Sequence, residues 1–324
     1  MYAHLKYTWS IGQQAPSLTR LREFTSELSD QLNVFNARPQ DQPVGLHGMP
    51  SIDTPLNQYG HMAAGIIPIS PKKTNAESIT KLLAKSYLKQ GEWLTYLKQG
   101  DWESDHVHEI IQSYANAKSY NPGWYKAWHA WALANFEVVT AITSQANRET
   151  AILPNAVVMD HVVPAVTGFF KSIALSSSSS LQDTLRLLTL WFAHGNHQEV
   201  DQAVDQGVAE VSVDTWLEVI PQLIARINQP NHRIRVAVNR LLAKVGKAHP
   251  QALVYPLTVT MKSNATANMA RNLRSTSAGE ILESLRSHSA ILVAQADTVS
   301  HELIRVAVLW HELWHEALEE ASRL

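Results

Sequence analysis

Apolar residues return at steps of three and four through most of this chain, and no stretch alternates at period two for long enough to make a strand. That periodicity restricts the fold to packed helices. Over residues 17–36, Leu18, Leu21, Phe24, Leu28, Leu32 and Phe35 fall on one side of a helix. The series Ile79, Leu82, Leu83, Leu88, Trp93 and Leu97 predicts either one helix or a helix broken briefly at Gly91. Another helix is predicted over 104–119, with Val107, Ile110, Ile111, Tyr114 and Ala115 facing inward. Asn121-Pro122 stops it, and the aromatic run Trp124, Tyr125, Trp128, Trp131 and Phe136 follows. Further helices are predicted over 162–175, 181–194, 198–211, 251–261 and 278–294, with Ser176–Ser180 as a short connection. Two segments break the pattern. Residues 38–74 hold Pro39, Pro43, Pro50, Pro55, Pro68 and Pro71 among glycines and predict a flexible loop. Residues 148–160 are polar, weakly periodic and expected to be a linker.

Two junctions resemble helical repeats. In "SYANAKSYNPGWYKAWHAWA", Tyr114, Ala117, Pro122, Trp124 and Ala127 stand in the order of a tetratricopeptide turn. "VIPQLIARINQPNHRIRVAVNRLLAKVGKAHPQALVYPL" resembles a HEAT unit. Ile220-Pro221 opens its first helix, Leu223, Ile224 and Ile227 line it, and Pro230 ends it. The second helix carries an arginine near its start, Arg233 or Arg235, with Val236, Val238, Leu241, Leu242 and Val245 behind. A single helix pair is too thin to bury its own apolar side, so such units stack and share a core. The expected fold is all-α, an α-solenoid of tetratricopeptide-like and then HEAT-like repeats. It offers long surfaces in place of a deep cleft.

Composition narrows the function. The 27 basic and 29 acidic residues leave a net charge of -2, without the basic excess of a nucleic-acid binder. No uninterrupted apolar run reaches the ~18–20 residues of a membrane span. The absence of cysteine excludes disulfides, thiolate metal sites and thiol catalysis, and fits an intracellular protein. MYAHLKYTWSIGQQ lacks the apolar segment of a secretory signal.

His311-Glu312-Leu313-Trp314-His315 fits H-E-x-x-H, which on a helix places two imidazoles one turn apart. A catalytic zinc needs a third protein ligand. Leu318 and Ala321 stand where the extended motif needs glycine and histidine, and Glu319 matches no zincin arrangement. An amphipathic helix accounts for the match. His194 and His197 flank Gly195 at a helix end, where a dipole role is the better reading. There is no Walker motif, no G-x-S-x-G and no H-R-D or D-F-G element, so no catalytic residue is assigned. Lys81, Lys85 and Lys89 recur one turn apart, with Lys126 on a later helix. They read as a solvated face, or as an anion site if Lys6 or Lys98 joins them in space.

Long blocks carry a more specific resemblance. "GEWLTYL", "WYKAWHAWALANFE", "VPAVTGFFKSIALS", "LQDTLRLLTLWFAHG", "DTWLEVIPQLIARI", "HPQALVYPLTV" and "SHELIRVAVLWHELWHEALEEASRL" resemble, in order, the FAT region of target-of-rapamycin (TOR) Ser/Thr kinases. The match is dense over 79–324, and "YAHLKYTWS" aligns with a preceding FAT helix. The resemblance implies tetratricopeptide-like helices over 1–37 and 75–147 and HEAT-like repeats over 161–308. Residues 309–324 would be the first helix of an incomplete FKBP-rapamycin-binding domain. It further implies a non-catalytic scaffold that clamps a kinase domain and supports a dimeric TOR complex; the alternative is a free-standing adaptor that lost the kinase. ATP and Mg would belong to the kinase domain alone, and FKBP-rapamycin would bind only a complete domain. Leu318 and Ser322 match drug-contacting positions. Lys85, Lys89 and Lys126 resemble part of an inositol hexakisphosphate pocket, although Ser10 and Gln13 stand where relatives are basic. A cytoplasmic location, with the parent held peripherally on endomembranes, is implied as well.

Because His311 and His315 lack a third ligand in sequence, the purified chain is expected to bind less than one equivalent of zinc after dialysis. Stoichiometric zinc by elemental analysis, lost in His311→Ala, would overturn that reading.

Overall fold

The computed structural model describes residues 1–37, 71–98, 102, 106–145, 153–176, 180–262 and 269–323. Among them every regular element is a helix. The chain divides into two compact units, Met1–Trp131 and Ala132–Leu324.

The first unit holds α1 (Tyr2–Ser10), α2 (Gln14–Ala37), α3 (Pro71–Leu97) and α4 (Val107–Tyr120), and α5 (Tyr125–Gln145) begins in it. Each of the first four packs on its neighbour in sequence, α1 on α2, α2 on α3 and α3 on α4. Leu18, Leu21, Leu28 and Leu32 are buried as their spacing requires, whereas Phe35, near the end of α2, is exposed. A local core joins Leu28 and Leu32 to Leu83, with Phe24, Ile79, Leu82, Tyr87 and Tyr120 around it. Gly91 does not break α3. The Tyr114 ring of α4 lies where a Cβ at residue 91 would stand, so the glycine permits close approach of the two helices. Helix α3 starts at Pro71 and takes in residues 71–74, which the sequence places in the loop. Proline in a first turn gives up only an amide that has no partner there. The rest of that loop, 38–70, lies outside the described residues.

In the second unit, α6 (Asn155–Val157), a π turn (Val158–Val162) and α7 (Val163–Leu175) run on as one helix. Residues 155–160, expected in the linker, are therefore helical, because Val158 and Val162 supply an apolar face that the core buries. Residues 148–152 of that linker are outside the described residues. Among the described residues Asn155–Leu175 is long and apolar enough to cross a membrane, and half of its apolar window is buried inside the protein. A core helix passes the same test.

The chain continues through α8 (Leu181–His194), α9 (Gln198–Glu210), a 3-10 helix (Val213–Val219) and α10 (Ile220–Ala225). Then come α11 (His232–Ala248), α12 (Pro250–Lys262), α13 (Met269–His288) and α14 (Ala290–Arg323). One apolar cluster runs from Val139 through Phe169, Phe170, Trp191, Trp216 and Leu242 to Val293. The all-α fold and the neighbour-on-neighbour stacking of helical repeats are both as the sequence requires.

Local chemistry sets the helix ends. Asn231 caps α11 by accepting from the Arg233 amide at 2.9 Å. The structure chooses Arg235 over Arg233 as the arginine that closes the preceding turn, for its Nη1 donates to the Gln229 carbonyl at 3.0 Å. Val236, expected inward, is exposed. The segment 278–294 is two helices: Ser289 accepts the Val293 amide at 3.1 Å and starts a new ladder. Deeper in, Ser172 Oγ donates at 2.8 Å to Asp183, whose carboxylate also faces Arg186 Nη1 at 3.5 Å. These partners offset the cost of burying a charge.

Helix α9 meets α7 at Gly207, where an added Cβ would strike the buried Phe170 ring. Overpacking of this kind costs about 1–3 kcal/mol, against about 1 kcal/mol regained in helix propensity. Gly207→Ala is expected to lower unfolding stability by about 1–2 kcal/mol in a urea titration. Burial also lowers the pKa values of His161 and His194, the second helped by His197. Their neutral forms are favoured in the fold, so the unfolded chain binds more protons once pH drops toward the free histidine value. Stability contributed by both is full above the unfolded pKa of about 6.5 and is lost as pH falls from there through the lower folded values. The urea midpoint is expected to fall between pH 7.5 and 5.5, and to fall less in His161→Gln.

Candidate functional site

Helix α14 changes character along its length. Its start is anchored: Val293 is buried, Leu292 and Ala296 pack against the core, and Ser300 is the last buried side chain. From His301 to Arg323 every described side chain is exposed. Leu303, Ile304, Val306, Leu309, Trp310, Leu313, Trp314 and Leu318 are among them, with Trp310 66% and Leu318 60% accessible. At 100° per residue these positions spread over more than half of the helix circumference. No separate helix begins at Leu309; α14 carries these residues away from the core as one continuous rod. Arg305–Glu302 and Arg323–Glu319 pairs, at 2.7 and 3.7 Å, support the polar side.

Leu318 and Ser322 do share a face. With His311, Trp314, His315 and Glu319 they line an open groove of 430 Å³. Ser322 Oγ donates back to the Glu319 carbonyl at 2.9 Å. The H-E-x-x-H histidines line the same groove, and no cluster of three metal-ligating side chains occurs among the described residues.

The lysine stripe lies on α3. Lys81 and Lys85 are exposed, and Lys89 pairs with Glu92 on its own helix. Helix α1 is fixed across α3 by Trp9, stacked on Trp93 at 4.3 Å, and by the Tyr2 hydroxyl, which donates to the Lys85 carbonyl at 3.3 Å. Burial first, then Glu92, pushes the Tyr2 phenol up to about 12. Lys6 sits over the Tyr2 ring at 5.2 Å. Lys6 and Lys85 are thus linked through Tyr2, whose hydroxyl bonds the Lys85 backbone carbonyl and not its ammonium. Lys126 is exposed on α5. Sequence spacing could not reveal the Tyr2 and Trp9 anchors, because these join residues more than 80 positions apart.

Comparison with known proteins fits this geometry. The FAT domain family matches residues 1–189, more than half of the chain. The chain belongs to the FAT domain family. Residues 199–304 of this FAT protein match the HEAT repeats of ATR-like serine/threonine-protein kinases. Residues 302–324 match the FKBP12-rapamycin binding domain, and they coincide with the exposed half of α14. Serine/threonine-protein kinase TOR2 of Saccharomyces cerevisiae is 42% identical over the whole of this chain, which covers 13% of it. The kinase TOR of Arabidopsis thaliana is 40% identical over 100% of this chain and 12% of its own length. mTor of Drosophila melanogaster is 45% identical over 78% of this chain and 10% of its own length. The FAT protein therefore spans about an eighth of the curated relatives it matches, and its resemblance to their TOR wording runs from end to end.

A rod without tertiary cover has only its own ladder to protect its amides. Amides of residues 309–323 are expected to exchange with deuterium much faster than those of α11; equal protection would show that α14 has found a partner surface in solution.

Proposed function

We propose that this chain serves as a non-catalytic helical scaffold, the FAT segment of a TOR-type Ser/Thr kinase, which holds the kinase domain and helps to assemble a TOR complex in growth signalling. The observation that carries the reading is the end-to-end likeness to TOR kinases, joined to a fold made of stacked helices. Stacked helices present faces, and faces suit holding. The sequence has no nucleotide loop and no H-R-D or D-F-G element for phosphoryl transfer. Kinase activity, with its ATP and Mg, belongs in this reading to another part of the parent chain. A cytoplasmic setting with peripheral endomembrane contact goes with it.

The exposed end of α14 fits the same reading. An apolar arc of this width calls for packing on more than one side, as in a helix bundle. Leu318 and Ser322 would then lie at the FKBP-rapamycin surface of that bundle. A subsidiary role is proposed for the lysines: Lys85, Lys89 and Lys126 would hold an inositol polyphosphate.

The decisive experiment captures tagged chain with and without the separately expressed kinase region of a TOR relative. Retention of that region, abolished by Trp310→Asp together with Trp314→Asp or by a lesion elsewhere on the scaffold, is the expected result. A folded chain that never retains it would instead favour a free-standing adaptor.

A further inference from the structure

The end of α4 and the start of α5 hold an arrangement that scaffolding does not require. Lys118, in the last turn of α4, directs its ammonium at two tryptophans of α5. Its Nζ lies 3.7 Å from the centroid of Trp131 and 4.7 Å from that of Trp128. The rings stand at 78° to each other with centroids 6.0 Å apart, so they form two walls of a corner. Trp128 is fixed there by its indole N–H, which donates to the Pro122 carbonyl at 2.8 Å. Lys118, Trp128 and Trp131 are all half-buried. Among the described residues no carboxylate is paired with Lys118, so the ring faces are its observed counter-charge.

We infer that Trp128 and Trp131 form an alkylammonium-binding corner whose resident ligand is Lys118, and that N-methylation of Lys118 tightens it. Paired aromatic faces attract a cation most strongly once it is desolvated, which is why methylated ammonium groups suit them. Methylation keeps the charge, enlarges the cation and removes N–H groups that would otherwise seek water. Acetylation has the opposite effect, since it removes the charge the rings hold. A sulfonium methyl donor would supply each methyl. The Lys118 ammonium first gives a proton to solvent; the neutral amine then attacks the methyl carbon, the carbon–sulfur bond breaks and a thioether leaves, so the methylated nitrogen carries the positive charge. Burial lowers the Lys118 pKa, which raises the share of neutral amine available for this step.

Reductive methylation of the purified chain with ¹³C-formaldehyde and a borane tests the corner without any enzyme. In a carbon–proton correlation spectrum, the Lys118 dimethyl resonance is expected well upfield of the other lysines, through the tryptophan ring currents. It should be absent in Lys118→Arg and return to the bulk lysine position in Trp131→Leu. The thermal midpoint should rise on methylation more in the wild-type chain than in Lys118→Arg, whose remaining lysines react equally. A Lys118 methyl signal at the bulk position, or an equal change of midpoint in the two chains, would overturn the inference. Because Lys118→Arg keeps a cation over the rings, that comparison stands even if Trp131→Leu fails to fold.

Discussion

Helices in this protein come as near to one another as their smallest residues allow, and the rest of the structure follows from that approach. Gly207 lets α9 lie against the Phe170 ring of α7, and Gly91 lets α3 lie against Tyr114 of α4. Close packing turns many weak dispersion contacts into a rigid stack. In the second unit Phe170 then meets Trp216 edge to face at 6.3 Å, which ties the 3-10 helix to the same core. The helices pack largely on helices one or two places away in sequence, so no distant strand pairing has to form before the stack is stable.

Such a stack suits holding, which is the role proposed above. A catalytic centre needs groups from several elements converging on an enclosed volume. Here, among the described residues, Ser172 donates to the buried Asp183 carboxylate, and Arg186 stands 3.5 Å from the same carboxylate. The sites with chemistry to offer lie on outer faces: the exposed half of α14, the lysines beside Tyr2 and the tryptophan corner at Lys118. In the proposed reading each of the three would hold a partner or ligand.

Helix α14 shows how one element can belong to two environments. Its first turns share the core of the second unit through Val293, while Trp310, Leu313 and Trp314 stand in solvent. Helical propensity and flanking ion pairs keep the rod continuous. Isolated helices gain little from such pairs, a few tenths of a kcal/mol each. The apolar side is therefore the part of α14 with most to gain from a partner.

By itself the sequence determined the all-α class, the repeat-like stacking and most helix bounds, because three-to-four periodicity and helix-stop residues act over a few positions; the FAT family was legible in the likeness of its long blocks. It also placed Leu318 and Ser322 on one helix face, since an i, i+4 spacing leaves no other choice. Only the tertiary structure decided that Gly91 is a point of close approach rather than a break. The same holds for the helical state of residues 155–160, where a buried face outweighs a weak local pattern. Tyr2 and Trp9 could join α1 to the lysine helix, and Lys118 could enter the corner of Trp128 and Trp131, only once side chains met in space. Local rules fix what each segment is; the burial of surfaces between segments fixes which side chains meet, and no period in the sequence encodes that.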